Sequence, residues 1–156
     1  MGGVCLDASP NPLVFSKRVP DSVRRLLSVR KNQIAPYETL AVYAALVAFG
    51  ARLRGRRVVF FIDNTTALGV IRNGFVHSDA RDLRRLVSLI WLTLAQLQLE
   101  PHFEWVASNA NLADGPSRPS SEAKNAELRT LHPTVLPPFA LPESLKSALA
   151  HGVAGT

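Results

Sequence analysis

The sequence predicts an α/β fold, and three stretches carry that expectation. Val58-Val59-Phe60-Phe61-Ile62 is a short β-branched and aromatic run ending on Asp63, the pattern of a strand buried on both faces. Glu38 to about Arg54 is apolar on almost every side, as a helix in the middle of its domain is. Leu83, Leu86, Val87, Ile90, Leu94 and Leu97 recur at spacings of three and four, which describes an amphipathic helix. Asp63 then falls at the C-terminal edge of a strand, where open α/β sheets place their ligands. The alternative role for Asp63 is to cap the helix that follows.

Composition narrows the class. The 156 residues fit one domain, and 47% hydrophobic content is enough for a core. A net charge of +6 and a pI near 10.2 favour a polyanionic partner, most often nucleic acid. Cys5 is the one cysteine, so no internal disulfide forms, which fits a reducing compartment. No apolar run reaches the ~18 residues of a membrane-spanning helix, and no signal peptide is visible. The expected location is intracellular, cytoplasmic or nuclear, with no membrane partner.

Taken in order, Gly2–Leu6 and Leu13–Ser16 flank a turn-rich segment, Asp7 to Pro12, and read as a β-hairpin. Lys17 to Asn32 carries Lys17, Arg18, Arg24, Arg25, Arg30 and Lys31 around a short helix after Pro20. It is either a solvated surface or a phosphate-facing patch. Pro36 suits the start of the apolar helix, which Glu38 opens. Arg52, Arg54, Arg56 and Arg57 lead into the Asp63 strand. Helix two runs from about Thr65 to Arg72, capped by Asn64, Thr65 or Thr66 and stopped at Asn73-Gly74. The long helix runs from a Ser78 cap to about Gln98. The strand Pro101–Ala107 alternates, with Phe103 and Trp105 on one side and His102 and Glu104 on the other. A polar loop, Ser108 to Arg118, leads to a helix start. From residue 119 the chain reads as a proline-rich extension with a short helix over Glu143–Ala150.

Three carboxylates stand at element edges: Glu38 on the central helix, Asp63 at a strand end, Asp114 at a loop-helix junction. Converging carboxylates repel unless a cation lies among them. Oxygen ligands suit magnesium or manganese. Two such ions can activate a water and stabilise a leaving oxygen in phosphodiester hydrolysis. The sequence offers no Cys/His cluster for zinc, no glycine-rich phosphate loop, and no histidine near Cys5 in sequence to support a thiol nucleophile.

Tyr37-Glu38-Thr39-Leu40-Ala41-Val42, Phe61-Ile62-Asp63-Asn64-Thr65-Thr66-Ala67-Leu68 and the run from Phe103 to Arg118 together resemble a ribonuclease H domain. The nearest likeness is to the domains attached to reverse transcriptases of DIRS-type and related retroelements. It covers roughly residues 2 to 118, leaving 119–156 as an extension. The resemblance implies a five-stranded mixed sheet flanked by helices, and two-metal cleavage of the RNA strand of an RNA·DNA hybrid. Glu38, Asp63 and Asp114 fall on three of the family's four metal-binding carboxylates. Arg52, Arg54, Arg56, Arg57, Asn64, Asn109, Asn111 and Arg118 are the candidate nucleic-acid contacts.

The resemblance is incomplete at the N-terminus. The family's first acid lies in strand one, within a segment like Asp7-Ala8-Ser9. Here that tripeptide stands too close to Leu13-Val14-Phe15-Ser16, the family's third strand, to leave room for a second. Asp7 therefore reads as a hairpin-turn residue, with the fourth metal ligand as its alternative role. Strand one would lie upstream of Met1, and an upstream reverse-transcriptase domain is an expected partner. Two functions follow: a ribonuclease H-type nuclease, whole or degenerate, or a non-catalytic nucleic-acid-binding or scaffold domain.

Overall fold

The computed structural model describes residues 1–29, 33–74, 76, 80–118 and 122–150. Arg30, Lys31, Asn32, His77, Ser78 and His151 lie outside them. The architecture is mixed α/β, with seven helices and two small sheets among the described residues.

The chain opens on the expected hairpin, β1 (Gly2–Cys5) paired antiparallel with β2 (Leu13–Ser16). Asp7 makes the turn, its Oδ1 accepting from the Ser9 amide at 2.8 Å. A short helix α1 (Asp21–Arg24) follows Pro20. The long apolar helix α2 spans Ile34–Leu53, four residues earlier than the sequence reading. Pro36 sits in its first turn, where the missing N–H costs nothing. Glu38 therefore lies in the second turn rather than at the helix start.

By length and composition α2 could cross a membrane, contrary to the sequence expectation that no such run exists. However, 56% of that window is buried inside the protein. Leu40, Ala44, Leu46 and Phe49 are core residues, each at most 3% exposed.

Next come β3 (Arg57–Ile62), α3 (Thr65–Asn73) and α4 (Arg81–Gln96). Asn64 caps α3 by accepting the Ala67 amide at 2.8 Å, and Gly74 closes it in the left-handed conformation. The described N-cap of α4 is Ala80, without a side-chain cap bond. β4 (Glu100–Trp105) runs parallel to β3, with Phe60 stacked on Phe103 at 5.1 Å between ring centroids. Trp91 of α4 meets Phe103 edge-on, and its indole N–H donates to the Ile71 carbonyl.

The expectation that β3 is buried on both faces fails. Its exposure alternates, and Val59 and Phe61 are 50% and 62% exposed. Helices cover the side carrying Val58, Phe60 and Ile62, and the other side is open. Trp105, expected beside Phe103, is likewise 53% exposed at the end of its strand.

Beyond α5 (Asp114–Ser117) and the polar helix α6 (Glu122–Thr130), the last segment is no loose tail. β5 (Thr134–Val135) joins β2 in parallel, and α7 (Glu143–Ala150) sends Leu145 and Leu149 into the main core. Phe139 packs edge-on against Phe15 at 5.4 Å.

The described strands do not form the single five-stranded sheet that the resemblance implies. They form two sheets, β1–β2–β5 and β3–β4, and no described residue pairs β1 with β3.

Candidate functional site

The two sheets face each other across a cavity of about 680 Å³, here called the slot. Glu38, Ala41, Val42, Ala45, Phe49 and Leu53 of α2 line it. Their spacing puts them on one helical stripe. β1 forms one wall and β3 the other.

The two ends of the slot differ in charge. Glu38, Asp63 and the loop leading to Asp114 stand at one end. Burial raises the Glu38 carboxyl above the usual range, and the negative charges of Asp63 and Asp114 raise it further. Asp63 and Asp114 therefore both lie within electrostatic reach of Glu38. Asp114 is buried at 7% exposure and forms an ion pair with Arg118 at 3.6 Å. Met1 is at this end too. Its ammonium donates to the Lys17 carbonyl at 3.1 Å; burial lowers its pKa and the Glu38 charge opposes that shift.

β1 starts beside the acids. A Cβ at Gly2 would run into the backbone of Pro116 and Ser117, so glycine lets β1 lie directly on α5.

Asp7, Arg52, Arg56 and Arg57 stand at the other end. Asp7 pairs with Arg52, and that bond, ahead of the Ser9 amide, holds its carboxyl below the usual range. Arg57 begins β3 and Asp63 follows its last residue, so about 20 Å of strand separates the arginine end from the acids. Asp7 is therefore not a fourth ligand among these acids. It is a turn residue tied to α2.

The candidate nucleic-acid contacts scatter in the same way. Arg54 donates to the Gln96 carbonyl at 3.1 Å, and Arg57 pairs with Glu100 at 2.7 Å. Asn64 caps α3, and Asn111 accepts the Ala113 amide at 3.0 Å, so both side chains hold local backbone. Asn109 is exposed in the loop before Asp114. Arg118 alone of the candidate arginines lies against an acid of the cluster.

Sequence reasoning missed two features of the site: the α2 stripe beneath the slot and the contact of Gly2 with α5. The Gly2-Gly3 pair at a strand start was the available signal for a close backbone approach.

Carboxylates have the right chemistry for a hard divalent cation. Among the described residues, however, no three Asp, Glu, His or Cys side chains are grouped tightly enough to hold a metal ion. As they stand, the acids share a field but do not make the two-ion site that the resemblance implies. No protein-family model, curated protein or solved structure matches this chain.

Proposed function

We propose that this chain carries a ribonuclease H-like nuclease domain acting on the RNA strand of RNA·DNA hybrids, with Glu38, Asp63 and Asp114 as its hydrolytic acids. One observation carries the reading. A helix, a strand end and a loop-helix junction bring these acids to one end of one slot, where Asp63 and Asp114 both raise the proton affinity of Glu38. A buried carboxyl whose charge two further acids disfavour marks a functional site more often than a packing solution.

The reading requires magnesium or manganese as cofactor. The net charge of +6 supports a nucleic-acid substrate held through its phosphates. Hybrid duplexes are recognised by shape and backbone rather than base sequence. An intracellular setting and an adjoining reverse-transcriptase domain belong to the same proposal.

A second reading has its own support. The acids are not grouped as a metal cage among the described residues, which favours a nucleic-acid-binding or scaffold domain that keeps the fold without catalysis. A cleavage assay separates the two. Hybrid and magnesium are supplied to the 156-residue chain and to a version carrying a strand-forming extension ahead of Met1. The nuclease reading expects cleavage by the extended chain only, abolished by Asp63→Asn. Salt-sensitive hybrid binding without cleavage in both would favour the nucleic-acid-binding form of the second reading, and absence of binding at low salt would sink every nucleic-acid role and leave only the scaffold.

A further inference from the structure

The slot is bounded by two rows of backbone groups, and these say what fits between them. Met1 and Lys17 exchange both of their backbone bonds, at 3.1 and 2.9 Å. Antiparallel ladders alternate, so Gly3 and Cys5 bond across to β2, while the N–H and C=O groups of Gly2 and Val4 point the other way, into the slot.

On the opposite wall, Glu100 donates to the Arg56 carbonyl and Val106 to the Ile62 carbonyl. The even-numbered residues of β3 therefore serve β4, and the backbone groups of Val59 and Phe61 turn to the slot. β1 leaves the acid end as β3 arrives there, so the two walls run in opposite directions.

We propose that the slot captures one extended segment of another polypeptide, which pairs with β1 and β3 at once and turns the two sheets into one. Strand addition to a single exposed edge is a common mode of peptide recognition. Here two edges flank the same gap, so the segment gains a ladder on each side. Because the walls are opposed, either direction of entry gives one parallel and one antiparallel ladder.

The occupant is a lone strand of about four to six residues, the lengths of the walls it joins. Its side chains alternate, and the inward set is apolar to suit Ala41, Val42, Ala45 and Phe49. Its ends are charged oppositely: acidic beside Arg56 and Arg57, basic beside Glu38 and Asp63. A second copy of the chain does not meet these terms, since its own β1 and β3 are each already paired on one side. This inference stands on backbone geometry and does not depend on the nuclease reading.

The test uses the full chain and a capped peptide in which valine alternates with threonine, with one glutamate at one end and one lysine at the other. No nucleic acid or metal is present. The expected result is one-to-one binding, a raised Tm, and amide exchange at Gly2, Val4, Val59 and Phe61 slowed about tenfold or more. The same peptide with proline at its centre, or N-methylated at alternate residues, should lose the effect, because it cannot complete both ladders. Three outcomes would overturn the proposal: no binding at millimolar peptide, protection elsewhere in the chain, or a peptide-free dimer in which those four amides are already protected.

Discussion

The two sheets are alike in size and differ in what holds them. β3–β4 is stabilised from beneath, by the Phe60–Phe103 stack and by Trp91 against Phe103. β1–β2–β5 depends on distant chain. Phe139 packs on Phe15, Lys17 bonds the Phe139 carbonyl, and Asp7 pairs with Arg52. Phe15 also reaches the core, 5.5 Å from Phe49 between ring centroids, but the other ties of its sheet lie at the rim, so an open slot should loosen the hairpin first. The difference also accounts for the role of α2, whose apolar stripe lines the slot that both sheets border.

The largest expected effect comes from the apolar bed. Phe103 is 5% exposed. Phe103→Ala should cost about 3 to 5 kcal/mol, as aromatic core deletions do. Denaturant unfolding should show the whole domain weakened, since that bed is continuous with the core. A loss below about 1 kcal/mol would mean that β3–β4 is not the stronger half.

A smaller and more local effect is expected at the rim. Phe139→Ala removes a half-buried ring that packs edge-on against Phe15 and lies under the Lys17 ammonium. A cost of about 1 to 2 kcal/mol follows from lost area and ring contacts. Amide exchange should rise in Gly3, Cys5 and β2 while Phe60 and Ile62 stay protected. Equal loosening of both sheets would erase the distinction between them.

The smallest effect tests the acid end through pH. The folded pKa of Glu38 lies above its unfolded value, because burial and then Asp63 and Asp114 disfavour its charge. Its contribution to stability is full below the ordinary glutamate pKa and is lost as pH rises through the raised value. Glu38→Gln removes that loss. Its Tm should exceed that of the unaltered chain above the raised pKa, with the gap closing at acid pH. Asp7 behaves oppositely: its pKa is lowered, so its contribution is present above the ordinary aspartate value and fades as pH falls through the lowered one. A Glu38→Gln gain that did not change with pH would show that the Glu38 carboxyl is not held above the usual range.

Much of this arrangement was legible locally. The hairpin, the Asn64 cap, the Gly74 stop and the stripe of α4 each follow from a few adjacent residues. The last helix was legible as a helix, but its docking was not, because nothing near Leu145 or Leu149 encodes the core they enter. α6 escaped notice for a related reason: its surface is polar, with Leu128 buried and no apolar stripe to read. The division into two sheets is a property of strand neighbours, and local pattern does not specify neighbours. The run Val58–Ile62 looked buried on both faces because its composition was uniform, yet its side chains alternate between core and solvent. Of the site, Asp63 at a strand end and Asp114 at a helix start were readable from their neighbours, whereas Glu38 lies a turn inside its helix. The acids' lack of a metal cage and the separation of Arg52–Arg57 from them needed three dimensions.

The most direct measurement is amide hydrogen exchange on the 156-residue chain alone, resolved by residue in β1 and β3. With the slot open, the amides of Gly2, Val4, Val59 and Phe61 should exchange about a hundredfold or more faster than those of Gly3, Cys5, Phe60 and Ile62, which donate into the ladders. Equal protection of the two sets would contradict an open slot between two half-sheets, and with it both the strand-capture proposal and the split architecture.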